Sequence, residues 1–215
     1  MNKIKVAIVE DDSVWLKALK SFLNYQDDII VAGMATNKED AVNMARTSLV
    51  DVIIMDINLN ENKRDGILAA VEILESVKVK IIMLTSLKDD EIITDSFTAG
   101  AVNYISKENY EEIPNAIRVA FHNDSPIEVL LSEFSKLKRD EQLKDLSSSE
   151  KQVFDLLEQG YSKARIESTL FKTANTVKSQ VRQILRKLGV SNSKEAVFKV
   201  KTKGLLKRDK SQKEI

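Results

Sequence analysis

Apolar, β-branched runs recur through the first half of the chain at residues 4–9 (IKVAIV), 29–35 (IIVAGMA), 50–55 (VDVIIM), 79–84 (VKIIML) and 102–105 (VNYI). Segments of helical period follow them at about 13–25, 37–47, 66–76, 89–98 and 110–121. Ser13 and Asn37 stand where helix N-caps belong, and Glu39 and Asp40 suit the positive end of a helix dipole. The nearly unbroken apolar run from Val50 to Met55 reads as a strand buried inside a parallel sheet. Five βα units in succession predict an open, doubly wound, five-stranded parallel sheet with helices on both faces.

The pattern changes at Pro126, in "HNDSPIEV". Ile127, Leu130, Leu131, Phe134 and Leu137 fall at helical spacing, so "PIEVLLSEFSKLKRDEQLKDL" reads as an amphipathic linker helix. Its stripe packs on the chain's own domains by default, and on a second copy as the alternative. From Leu146 onward only helices are predicted, at about 148–158, 162–169, 173–187 and 193–203. Gly160 and Gly189 mark stops or turns, and Asn192/Ser193 the last helix start. The end of the chain, "KGLLKRDKSQKEI", is a charged tail.

Composition excludes several chemistries. With no cysteine among 215 residues there is no disulfide, thiolate metal site or thiol nucleophile. No apolar stretch approaches the roughly 20 residues of a membrane span, and "MNKIKVAIVE" has too short an apolar part for a signal peptide, so a cytoplasmic location is expected. The formal net charge of zero conceals two opposed halves. Residues 1–124 carry 13 Lys/Arg and 21 Asp/Glu, a net of −8; residues 125–215 carry 20 and 12, a net of +8. That asymmetry suggests one part that manages cations and another that meets a polyanion.

In doubly wound sheets, ligands bind beyond the carboxyl ends of the strands. Strand one ends in Glu10, Asp11 and Asp12, strand three in Asp56, strand four in Thr85 and Ser86, and strand five in Lys107. Each is ordinary alone: an acidic turn, a helix cap, a solvated lysine. Gathered at one sheet edge, the carboxylates repel one another unless a hard cation sits among them, and Mg2+ suits such a set because it keeps positions for water or phosphate oxygens. Asp56 would then stay ionised and attack a phosphoryl group, with Lys107 and Thr85 contacting its oxygens.

These residues carry a family resemblance. "VAIVEDD", "DVIIMD", "IIMLTS" and "GAVNYISKE" resemble the receiver domain of bacterial two-component response regulators, a flavodoxin-like fold, over residues 1–122. The resemblance implies that Asp56 is the phosphoacceptor, Asp11 a direct Mg2+ ligand, Glu10 a water-mediated one, and the Asn58 backbone carbonyl a further ligand. It implies Thr85 and Tyr104 as switch residues, hydroxyl and ring moving inward on phosphorylation. The chain departs from the pattern at Asn60, where a proline is usual, and in "NLNENKRDG", about two residues longer than usual. Leu87, two residues after Thr85, cannot orient a hydrolytic water, so a long-lived acyl phosphate is expected.

In the second half, "LSSSE", "LLEQGYS", "NTVKSQV" and "ILRKLGVSNSKEAV" resemble the NarL/LuxR-type helix-turn-helix domain, a small all-α unit of four helices at 146–204, reached through a helical linker at 123–145 and followed by the tail at 205–215. Val177, Val181, Ile184, Leu185 and Leu188 form the buried stripe of its third helix; Lys178, Ser179, Arg182, Arg186 and Lys187 form a basic polar face. The resemblance implies that Lys178, Ser179 and Arg182 face the groove and that Thr173, Asn175 and Lys187 meet phosphates. Lys172 stands where an apolar residue is usual, Glu167 where a small one is, and Gln180 where a histidine is common.

The resulting expectation is a non-enzymatic, phosphorylation-controlled transcription regulator. A sensor histidine kinase would load Asp56 with Mg2+, promoting a homodimer that binds promoter DNA, without membrane association. One alternative is a phosphorylation-independent DNA-binding regulator using its receiver fold to dimerise. The other is a Mg2+-dependent phosphatase with an aspartate nucleophile, of the haloacid-dehalogenase-like group; those usually carry an Asp where this chain has Asn58.

Overall fold

The computed structural model describes residues 3–59, 64–86, 89–122 and 126–205, with the side chains of 126–128 excepted. Asn60, Leu87 and Ile127, singled out above, lie outside that description, as does all of the tail beyond Leu205. The chain separates into two compact units, residues 1–135 and 136–215.

In the first unit, strands β1 (Ile4–Val9), β2 (Ile29–Ala35), β3 (Val52–Asp56), β4 (Lys80–Thr85) and β5 (Asn103–Ser106) form one parallel sheet in the order β2-β1-β3-β4-β5. This is the flavodoxin-like order, whose switch point lies between β1 and β3. All five residues of β3 are buried, as expected of a central strand covered on both faces. Helices α1 (Ser13–Asn24), α2 (Lys38–Thr47), α3 (Asp65–Ser76), α4 (Asp90–Ala99) and α5 (Ile113–His122) cross between and beyond the strands. One core, from Ile8, Val52, Ile54 and Ile82 on the sheet to Leu19, Leu23, Ile113 and Ile117 on α1 and α5, closes one face.

Two expected boundaries shift. Asp12, not Ser13, caps α1: its Oδ1 accepts from the N–H groups of Val14 (2.8 Å) and Trp15 (3.3 Å). A carboxylate caps as well as a hydroxyl and adds favourable charge to the dipole. Residues 110–112, expected in the last helix, belong instead to a 3-10 segment, Lys107–Glu112, that precedes α5. Pro114 sits in the first turn of α5, where its missing N–H costs nothing. Asn37 caps α2 as expected, accepting from Asp40 N at 2.9 Å.

Helix α6 (Pro126–Leu143) contains the division between the units. Within the first unit, Ser135 Oγ donates to the carbonyl of Thr98 at 3.1 Å. Within the second, Arg139 pairs with Glu158 at 2.7 Å and Leu143 is buried. That second unit continues with α7 (Ser148–Glu158), α8 (Lys163–Leu170), α9 (Ala174–Leu188) and α10 (Ser193–Lys201). Its core gathers Val153 and Phe154 of α7, Ile166 of α8, Val177, Val181, Ile184 and Leu188 of α9, and Ala196 and Val200 of α10. Among the described residues no helix is long and apolar enough to cross a membrane.

Candidate functional site

Parallel strands bring Glu10, Asp56, Thr85 and Lys107 to one edge of the sheet because each lies at or just past a strand's carboxyl end. Glu10, Asp11 and Asp56 each offer an oxygen within 4.8 Å of the others. Glu10 (1% exposed) and Asp56 (5%) are buried, whereas Asp11 is exposed. Lys107 Nζ lies 2.6 Å from Glu10 Oε2 and 2.9 Å from Asp56 Oδ2, so one ammonium serves two buried carboxylates. Burial pushes the Glu10 carboxyl up to about 7; the Lys107 hydrogen bond opposes this and the Asp56 charge adds to it. Burial alone would lower the Lys107 ammonium, but its bonds to Glu10 and Asp56 prevail and hold it above the usual lysine range.

Three acids against one lysine leave excess negative charge at this partly buried edge. Among the described residues, neither Glu10 Oε2, beyond its Lys107 ion pair, nor the buried Asn58 Oδ1 has a hydrogen-bond partner. Asn58 N donates to Asp56 Oδ1 at 3.3 Å, anchoring the start of the long loop to the acidic cluster. The donor set is all oxygen and anionic, which fits a hard divalent cation such as Mg2+. Thr85 is fully buried at the end of β4, in register with Ser106; Tyr104, half-buried on β5, is in register with Met83.

Several neighbours of this edge were not identified from sequence. Arg64, just before α3, pairs with Glu91 (3.0 Å) and Asp95 of α4. Gly66 N donates to the carbonyl of Ile57 at 3.0 Å, bringing the loop back onto β3. Trp15 and Tyr110 stack beside Lys107. Separations of 27–31 residues for Arg64 give no local sequence signal, although "RDG" closing the loop marks where it must end.

In the second unit, α8 and α9 are joined by Phe171, Lys172 and Thr173, a helix-turn-helix connection. Phe171 takes the left-handed conformation (φ 52, ψ 42). Asn175, Lys178, Ser179 and Arg182 are exposed on the face of α9 opposite its buried stripe. Thr173, also exposed, caps α9 by accepting from Thr176 N at 3.3 Å. Lys172 Nζ donates to Ser149 Oγ (2.7 Å) and Gln180 Oε1 (3.0 Å), and Gln180 Nε2 donates to Ser149 Oγ (2.6 Å). The unusual lysine and glutamine thus satisfy each other, and a polar bridge from α7 to α9 occupies the turn.

Lys187 Nζ lies 2.6 Å from Glu150 Oε2, and Glu150 forms a capping box with Ser147 at the start of α7. Burial would raise the Glu150 carboxyl, but the bonds from Lys187 and Ser147 outweigh it and hold it below the usual glutamate range. A depressed folded-state pKa contributes stability above the unfolded value, lost as pH falls through the folded one. Glu150→Gln is therefore expected to lower the second unit's stability at pH 7 by about 1–3 kcal/mol. Thermal melts of wild type and variant should converge as pH drops below the glutamate range; parallel curves would contradict this assignment.

Comparison with known proteins agrees with both units. Residues 6–118 match the response regulator receiver domain, and residues 144–200 match the bacterial regulatory proteins of the luxR family. The response regulator protein VraR of Staphylococcus epidermidis is 32% identical over 200 residues, covering 91% of this chain and 95% of VraR. The transcriptional regulatory protein DesR of Bacillus subtilis is 34% identical over 210 residues, covering 95% of this chain and all (100%) of DesR. Among solved structures, the response regulator domain of Thermotoga maritima CheB superposes with a TM-score of 0.54 at 29% identity, over 58% of this chain and 100% of that one. A receiver-type acidic edge on one unit and a basic helix-turn-helix on the other thus meet in one chain, which belongs to the NarL/LuxR-type response regulators.

Proposed function

We propose that phosphorylation of Asp56 switches this regulator from a form with low promoter affinity to a dimer that binds DNA. The observation that carries the reading is the Lys107 ammonium held between the two buried carboxylates Glu10 and Asp56. Asp56 accepts a phosphoryl group from a sensor histidine kinase or a small acyl-phosphate donor. Asp11, Asp56 and the Asn58 carbonyl, with Glu10 through water, would hold Mg2+, which would supply positive charge beside the phosphoryl oxygens. Lys107 turns from Asp56 Oδ2 to a phosphoryl oxygen, Thr85 donates its hydroxyl to another, and Tyr104 follows inward. The four-helix unit supplies the output. Lys178, Ser179 and Arg182 read base edges in the major groove. Thr173 and Asn175, at the α9 N-terminus, meet phosphate, and Lys187, paired to Glu150, keeps further donors for another.

The acidic 1–124 segment and basic 125–215 segment are consistent with this division of labour. Domain limits of 1–122, 123–145 and 146–204 belong to the same proposal, with the linker helix available to a dimer.

Size measurement of the full chain with Mg2+, with and without beryllofluoride as a phosphoryl mimic, tests the reading: a monomer should become a dimer. Lys178→Ala/Arg182→Ala should weaken promoter binding about 100-fold and flatten its salt dependence, while phosphoryl loading stays at the wild-type level. A beryllofluoride-insensitive size together with undiminished DNA binding would favour the phosphorylation-independent alternative.

A further inference from the structure

The single tryptophan of the chain stands beside the lysine of the acidic edge. Lys107 Nζ lies over the Trp15 ring, 5.8 Å from its centroid. Trp15 packs edge-to-face on Tyr110 (6.0 Å, 77°), and Tyr110 packs in the same manner on Phe22 (5.4 Å, 75°). The three rings join α1 to the 3-10 segment that begins with Lys107 itself. Phe22, at the far end of the row, packs against the sheet core. Asp12 holds the near end, its carboxylate accepting from Trp15 N.

We infer that Trp15 is a positioning residue for Lys107: its ring face and the aromatic row behind it hold the ammonium between Glu10 and Asp56. This rests on the proposed phosphoacceptor reading and deepens it. An ammonium on a four-carbon stem is a mobile point charge, and two anions pull it to the same place from different sides. The negative face of an aromatic ring attracts a cation within about 6 Å and limits its swing toward solvent. The Lys107 side chain is only 15% exposed, so this attraction acts in a partly dry setting. A lysine already aimed at the reacting carboxylate spends less on reorganisation when a phosphoryl group arrives. The same contact makes Trp15 fluorescence a reporter of the ammonium's position.

The test compares full-length wild type, Trp15→Phe and Trp15→Leu. Phenylalanine keeps a ring face and leucine keeps apolar bulk, so a packing role would let leucine substitute as well as phenylalanine. With Mg2+ and acetyl phosphate, phosphoryl incorporation should slow about ten-fold in Trp15→Leu and no more than about two-fold in Trp15→Phe. Melting temperatures should be similar for the two variants. Independently of any phosphoryl transfer, NMR should show the Lys107 εCH2 protons shifted upfield by ring current in wild type and Trp15→Phe, and unshifted in Trp15→Leu. Equal rates for leucine and phenylalanine variants, or an unshifted Lys107 in wild type, would overturn the proposal. If wild type takes no phosphoryl group while Lys107 is ring-shifted, the phosphoacceptor reading fails, and Trp15 positions an ammonium that serves only the acidic cluster.

Discussion

Asp56→Asn is expected to abolish phosphoryl incorporation and, with it, donor-induced dimerisation and the gain in promoter affinity. The substitution changes one oxygen for an amide nitrogen, so β3 and its register with β4 should persist. What it removes is the proposed nucleophile and one of the three clustered carboxylates. Because the Asp56 charge helps raise Glu10, the variant's Glu10 should titrate lower than about 7, toward its ordinary value. Lys107 keeps Glu10 as its ion partner, so the thermal stability of the receiver should be little changed at pH 7. In wild type, a coupling of about 1–3 kcal/mol between phosphorylation and dimerisation corresponds to a change of roughly 5–150-fold in apparent DNA affinity. In Asp56→Asn that change should vanish, with DNA affinity fixed at the unphosphorylated level. A variant that still responded to acetyl phosphate would place the acceptor elsewhere. A wild type that never responded would point to the regulator that uses its receiver only for assembly.

The placement of the acidic edge was legible because topology carries it. Once five βα units are read from periodicity, a parallel sheet must bring the ends of β1, β3, β4 and β5 together, and Glu10, Asp56, Thr85 and Lys107 come with them. The buried stripe Val177, Val181, Ile184 and Leu188 was legible for a similar reason, since helical period alone selects the inward face. Contacts set by packing were not. Lys187 reads as one more base on a basic helix, yet its ammonium meets Glu150, 37 residues away, because α7 and α9 share a core. Lys172 and Gln180 look like two separate departures until Ser149 joins them. Trp15 reads as an amphipathic helix residue and gives no local hint of Lys107, which the fold of α1 against the 3-10 segment brings over its ring. Ser13 was expected to cap α1, and the hydrogen bonds that Asp12 accepts from the N–H groups of Val14 and Trp15 place the cap one residue earlier.

Gly66→Ala is expected to damage both the stability of the receiver and the placement of Asp56. Gly66 is buried in the first turn of α3, and a Cβ built there would lie 1.9 Å from the carbonyl oxygen of Asp56, 2.8 Å from its carbonyl carbon and 2.9 Å from Ile57 Cα. All three are backbone atoms, so no side chain can rotate away. Either α3 lifts from β3, losing the buried contacts of Ile67 and Val71, or the end of β3 moves and takes Asp56 with it. Overpacking of this kind costs about 1–3 kcal/mol and sometimes more. For a domain of this size that is a fall in melting temperature of roughly 5–15 °C. A displacement of the Asp56 peptide by about 1 Å should also slow phosphoryl incorporation on the order of 100-fold. Gly160→Ala is the informative control: its φ of 81 makes alanine strained, but the built Cβ meets nothing within 4 Å. That variant should lose about 1 kcal/mol from the second unit and leave phosphorylation of the receiver at the wild-type rate. If Gly66→Ala instead melted and phosphorylated like wild type, the close approach of α3 to the Asp56 peptide would not be what holds Asp56 in place.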